Sequence, residues 1–146
     1  MLHANVRSLA ANHDKLISLL SDLTHNFHLL GISETKMMFD KDPIANVNIS
    51  GYNFISQPSY QNAAGVGFYI RSDCEYHIRN NLSTSTADFE CLWIEIHAKS
   101  CRNIECSVIY RHPNSNLGSL TTFLTKAIDE ISRENKFCIL MGDFNI

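Results

Sequence analysis

An excess of basic charge is missing from this sequence. Twelve lysines and arginines stand against fifteen aspartates and glutamates over 146 residues, a net charge of −3 with the seven histidines neutral. Tight non-specific binding to nucleic acid rests on clustered basic side chains against phosphate. A nucleic-acid substrate would therefore have to be held by a metal ion, by local geometry or by another part of the protein. Apolar runs of membrane-spanning length are missing too, as is a basic segment leading into an apolar one at the N-terminus. Neither a helical membrane partner nor a secretory signal is expected. The five cysteines are odd in number and show no C-x-x-C spacing, which argues against a disulfide framework and for a reducing, intracellular compartment. Cys91, Cys106 and Cys138 lie inside apolar strand patterns and are expected as buried small hydrophobes. There is no repeat, low-complexity tract or linker, and Pro43, Pro58 and Pro113 all fall in expected turns.

What is present is a chain 45% apolar and 18% charged, one globular domain or a large piece of one. Met1 to Asn5 reads as the tail of a strand. Asn12 to Thr24 carries Leu16, Leu19, Leu20 and Leu23 at helical spacing, and Phe27 to Ile32 reads as a buried strand. Lys36 to Ser50 has no clear period and is expected as loop with a helical turn. Tyr52 to Ser56, Gly65 to Arg71, Glu75 to Arg79, Phe89 to His97 and Ile104 to Tyr110 read as strands in an antiparallel meander. Trp93 to His97 alternates as a half-buried strand should. Leu117 to Arg133 is an amphipathic helix with Leu120, Phe123, Leu124, Ala127, Ile128 and Ile131 as its apolar stripe. A final strand, Phe137 to Met141, is expected to be buried. An α/β fold of two sheets packed face to face, with helices on their outer faces, would cover all these apolar surfaces.

Four polar clusters fall at strand ends: Asn5 with Arg7 and Ser8, Glu34 with Thr35, Tyr110 through Asn114, and Asp143 with Asn145. Each has an ordinary explanation on its own. A glutamate after a strand is commonly solvated, Gly-Asp is commonly a turn, and Asn5 could cap the helix that follows. Together they suit a hydrolase that must hold a metal ion, a water and a phosphate at one place.

The order and flanks of these clusters resemble the exonuclease–endonuclease–phosphatase superfamily, nearest to the apurinic-type endonuclease domain of non-LTR (LINE-like) retrotransposons. The residues that carry the resemblance are Asn5-Val-Arg-Ser-Leu9, Ile32-Ser-Glu-Thr-Lys36, Gly51-Tyr52, Gly65-Val-Gly-Phe-Tyr-Ile70, Leu92-Trp-Ile-Glu-Ile96, Ile109-Tyr-Arg-His-Pro-Asn114 and Leu140-Met-Gly-Asp-Phe-Asn145. Gly-Asp-Phe-Asn alone is a weak motif; seven stretches in order are a strong one. The resemblance implies a four-layer α/β sandwich and a Mg²⁺-dependent hydrolase of phosphodiester bonds, with Mn²⁺ as a substitute. It implies that Glu34 ligates the metal, supported by Asn5 and Asp143, and oxygen ligands are what a hard cation requires. By the same resemblance Tyr110 bonds the scissile phosphate, Asp143 orients or deprotonates the attacking water, and Asn145 donates to the phosphate as charge builds. Asn5, Arg7 and Asn114 face the substrate, DNA. A reverse transcriptase domain and a nuclear location are implied for a functional parent.

The sequence also departs from the family. The family's later Ser-Asp-His element has no counterpart, because none of the seven histidines follows Asp143. Ala64 stands where a glycine is common, and the first strand is short. The chain is accordingly expected to be the N-terminal portion of the domain over residues 1–146, cut after Gly-Asp-Phe-Asn, poorly soluble and weak or inactive. The alternatives are a phosphatase or phospholipase of the same fold, and a non-catalytic remnant that acts only as a binding module.

Overall fold

The computed structural model describes residues 1–37, 47–57, 59, 64–99 and 101–146. The turns expected at Pro43 and Pro58, and most of the loop expected over 36–50, lie outside the described residues. The elements run β1 (Leu2–Asn5), α1 (Leu9–Asp22), β2 (Leu29–Ser33), β3 (Tyr52–Gln57), β4 (Val66–Arg71), β5 (Tyr76–Ile78), β6 (Thr84–Ser85), β7 (Phe89–Ile96), β8 (Ile104–Arg111), α2 (Leu117–Arg133) and β9 (Phe137–Asp143).

They form two sheets. The first has the order β1-β2-β4-β3, with β1 parallel to β2 and the rest antiparallel. The second has the order β5-β7-β8-β9, with β6 also on β7 and β9 parallel to β8. Strand alternation sorts the apolar side chains into three interiors. Leu29, Val66, Phe68 and Ile70 of the first sheet meet Leu92, Ile94, Cys106 and Val108 of the second between the sheets. Leu30, Ile32 and Tyr69 turn the other way and pack with Leu9 and Leu16 of α1. Cys91, Trp93 and Ile109 pack with Leu120, Ala127 and Ile131 of α2. The result is the expected four layers: helix, sheet, sheet, helix.

Several details differ from the sequence reading. The meander is split between two sheets, because the chain passes from the first sheet to the second between β4 and β5. In α1 only Leu9 and Leu16 are buried, while Leu19, and Leu23 at the C-cap, are exposed; the stripe begins at Leu9, about two turns before Leu16. That first turn is irregular: Asn12 leaves helical geometry at φ −121° and donates to the carbonyls of Val6 (3.0 Å) and Ser8 (3.3 Å). Ser8, not Asn5, caps the helix by accepting from the amide of Ala11. In α2, Ile128 of the expected stripe is exposed. Strand β7 is covered on both faces rather than one, so Glu95 is buried among ion-pair partners. Strand β9 pairs only with β8 among the described residues, and Cys138 with it is exposed rather than buried.

Candidate active site

Two parallel strand pairs build the site. Asn5 ends β1 opposite Ser33 at the end of β2, and Asp143 ends β9 opposite Tyr110 near the end of β8. Parallel pairing brings like ends together, so residues from both sheets reach the same rim. Glu34 follows β2 directly. The Asn5 carboxamide nitrogen donates to Glu34 Oε1 and to Asp143 Oδ2, each at 2.8 Å. Its oxygen accepts from the amide of Arg7 at 3.2 Å, which closes the turn after β1. One side chain therefore ties together two carboxylates from different sheets.

Tyr110 stands beside them, almost wholly buried. Burial first, and then the Glu34 carboxylate with Asp143 and Glu90 behind it, pushes its phenol up to about 12. It is protonated at neutral pH and can only donate toward an anion. Asn145 lies two residues beyond Asp143; its backbone amide donates to Asp143 Oδ1 at 3.4 Å, and its carboxamide donates to the Arg111 carbonyl at 2.6 Å. Arg7 is exposed and lines a groove of about 290 Å³ between β1 and α1, together with Asn5, Asn12 and Lys15. Asn114 is exposed in the turn after β8 and makes none of the contacts that join Asn5, Glu34 and Asp143.

The backbone around the rim is unusual. Among the described residues eight non-glycine positions have positive φ, and five of them, Arg7, Ser8, Glu34, Lys36 and Asn145, flank these strand ends. Such conformations are uncommon for side-chain-bearing residues and gather where surrounding structure holds them, often at functional sites. The holding contacts are visible: the amides of Ser8 and Leu9 donate to the carbonyls of Glu34 and Thr35, and those of Thr35 and Lys36 to Gly65 and Ala64. Ala64 is buried and uses its carbonyl in this ladder.

Sequence reasoning missed Glu90 and gave no role to Arg111 and His112, which lie inside the Tyr110-to-Asn114 cluster. Glu90 is buried between the sheets, opposite Tyr110 on β7, and accepts from the Gly65 amide (2.5 Å) and the Ser59 hydroxyl (2.8 Å). Arg111 grips the Phe144, Asn145 and Ser115 carbonyls and so fixes the segment after β9. His112 packs edge-on to Tyr110 with its Nε2 at 3.9 Å from Glu90. A signal existed for Glu90: it is a charge inside the otherwise apolar start of β7.

The largest group of carboxylates with metal-ligand spacing among the described residues lies elsewhere. Glu95, Glu105 and Glu134 bring oxygens within 4.8 Å of one another. Arg79 and Lys136 occupy that cluster, bonding Glu105 and Glu134 between them, so its negative charge is already answered by fixed cations. At the rim the carboxylates of Glu34 and Asp143 share only a neutral amide. That donor set fits a hard divalent cation better.

No family model and no curated protein matches the sequence. Solved structures do. The endonuclease domain of TRAS1, a telomere-specific non-LTR retrotransposon, superposes with a TM-score of 0.64 at 14% identity, over 99% of this chain and 59% of that one. The human Nocturnin catalytic domain with bound sulfate gives 0.68 at 16% identity, over 98% and 62%. The 3′ phosphatase NExo from Neisseria, bound to a product DNA hairpin, gives 0.61 at 19% identity, over 99% and 56%. This chain has the exonuclease–endonuclease–phosphatase fold. It spans about six tenths of the length of these solved chains. Nucleases and phosphatases share this fold, and no helix among the described residues is long and apolar enough to cross a membrane.

Proposed function

We propose that this chain carries the metal-holding and water-activating part of a Mg²⁺-dependent phosphodiesterase that nicks DNA, from a retrotransposon-type protein. The observation that carries the reading is the Asn5 bridge between Glu34 and Asp143, with the protonated Tyr110 beside it. The motif order and the likeness to a retrotransposon endonuclease domain favour this branch of the fold.

Glu34, Asp143 and Asn5 would hold Mg²⁺, or Mn²⁺ in its place. When bound, the cation would draw charge from a non-bridging phosphate oxygen and position it for in-line attack. Asp143 has a second oxygen that, among the described residues, accepts from the Asn145 amide, and that oxygen would accept a proton from water. Tyr110 donates its O–H to the phosphate. Asn145 spends one amide hydrogen on the Arg111 carbonyl and has a second to give as charge develops. Arg7 and Asn114, both exposed, would face the DNA backbone. A reverse transcriptase domain and nuclear location belong to the same proposal for the parent protein.

Relaxation of supercoiled plasmid tests it. Nicking that requires Mg²⁺ and stops with EDTA is expected from a protein that carries this chain. Asp143→Ala should abolish that nicking, and nicking that survives the change contradicts the role given to Asp143. A 3′-phosphorylated oligonucleotide in the same assay tests the phosphatase alternative, which the solved 3′ phosphatase of this fold motivates.

A further inference from the structure

The other end of the second sheet carries a pair of histidines that the reaction does not use. Strand β7 is antiparallel to β8, with Glu90 opposite Tyr110 and Ile96 opposite Ile104. His97, just after β7, therefore lies at the end of the sheet remote from Tyr110. Strand β5 pairs with β7 so that His77 sits opposite Glu95. Side chains two apart on a strand share a face, which places His77, Glu95 and His97 together. His77 Nδ1 is 3.1 Å from His97 Nε2, and His77 Nε2 is 3.2 Å from Glu95 Oε2.

We propose that His77 and His97 form a binding site for a first-row transition-metal ion of the zinc class, with Glu95 as the carboxylate that orients His77. Two nitrogens at about 2.0–2.1 Å from a tetrahedral zinc stand roughly 3.3 Å apart, close to the separation seen here. Imidazole suits zinc, nickel and copper ions, whereas Mg²⁺ takes oxygen, so the site is distinct in kind from the carboxylate rim.

The tautomers follow from the partners. Glu95 Oε2, 3.2 Å from His77 Nε2, favours a hydrogen on that nitrogen, which would leave the Nδ1 lone pair toward His97. A carboxylate behind a ligating histidine is a recurrent device that fixes the ring and raises its basicity. Glu95 is itself held, taking 2.6 Å from the Asn103 carboxamide and 2.5 Å from Lys136 Nζ. In that tautomer, and without metal, His97 Nε2 would carry the hydrogen between the two rings. On binding, that hydrogen leaves Nε2 and His97 takes one at Nδ1 from solvent, so both facing nitrogens present lone pairs and no net proton is released.

The site is open, since the His77 side chain is 48% exposed, and water would complete the coordination. It is also built on a tied base: His77 stands on β5, and His97, just past β7, donates its amide to the Glu75 carbonyl at 2.9 Å. An ion there would staple the three-residue edge strand β5 to β7.

The test is calorimetric titration of the untagged, metal-stripped chain with zinc chloride in excess Mg²⁺, with circular dichroism to show each variant folded. One zinc per chain is expected, undisturbed by Mg²⁺. His77→Gln and His97→Gln should each weaken binding at least tenfold, and zinc should raise the melting temperature of the wild type but not of either variant. Zinc binding that survives either histidine change, or no zinc binding at micromolar concentration, overturns the proposal.

Discussion

Asn5 and Asp143 lie 138 positions apart and are joined by a 2.8 Å hydrogen bond from carboxamide to carboxylate. The same nitrogen reaches Glu34 at the same distance, so the first strand of one sheet and the last strand of the other meet through a single amide. Asn5→Ala should leave two carboxylates facing without their common donor. The variant is expected to fold, with the side-chain carboxyl resonances of both Glu34 and Asp143 displaced from their wild-type positions in carbon-detected NMR. Resonances that stay where they were would contradict the bridge.

Gly142 sets the distance between β9 and β8. Its φ is +153°, and a Cβ there would run into the backbone of Ile109. Gly142→Ala should push the strands apart and carry Asp143 away from Tyr110, its register partner. Amide exchange at Ile109 and Asp143 is expected to speed up while α1 and the first sheet are unaffected. Unchanged protection would show that the strands absorb the methyl group.

The ion cluster under α2 makes stability depend on acid. Hydrogen bonds from Arg79 and then Lys136 hold the Glu134 carboxyl at about 2, below its ordinary 4.5. A lowered carboxylate contributes stability above its unfolded value and loses it as pH falls through the folded one. The window is therefore from about pH 4.5 down to pH 2. Glu95 is also lowered, its burial outweighed by Lys136 and Asn103, while burial raises Glu105. Glu134→Gln should flatten the fall of stability across this window in denaturant titrations at several pH values. An equal slope in both proteins would remove Glu134 from the account.

The core under α2 gives a stability prediction. Ile131 is buried against Trp93 and Ile109 in the interior beneath the helix. Ile131→Ala should cost about 2–5 kcal/mol by chemical denaturation. The exposed Ile128→Ala should cost far less, and equal effects would mean that the helix packs on a different face.

Strand β9 gives the solubility prediction. Phe137 is 52% and Leu140 37% exposed on a strand paired on one side only among the described residues. Such an edge is a template for association. Leu140→Lys should lower self-association of the 146-residue chain in sedimentation experiments, and no change would place the association elsewhere.

Most elements were legible because alternation and helical spacing are local properties. The span of α2 matches residue for residue, and β3, β4, β7 and β8 agree to within a residue or two. Strand β6, only Thr84–Ser85, is too short to show a period. The change of sheet between β4 and β5 was not legible, since alternation tells which residues point inward but not which sheet receives them. Glu95 misled because a charge in an alternating strand reads as solvent-facing, and only its distant partners, Lys136 and Asn103, reveal that it is buried. The rim residues Asn5, Glu34, Tyr110 and Asp143 were picked out because they follow strand ends in a known order. Their convergence depends on parallel pairings that only the structure displays.

Paramagnetic broadening by Mn²⁺ tests the central claim most directly. Backbone amides of Asn5, Glu34, Tyr110 and Asp143 are predicted to broaden first as Mn²⁺ is added, with competition by Mg²⁺, and the effect should vanish in Glu34→Ala. Broadening centred on Glu95, Glu105 and Glu134, or broadening at the rim that persists in Glu34→Ala, would contradict the assignment of the cation to the Asn5 bridge.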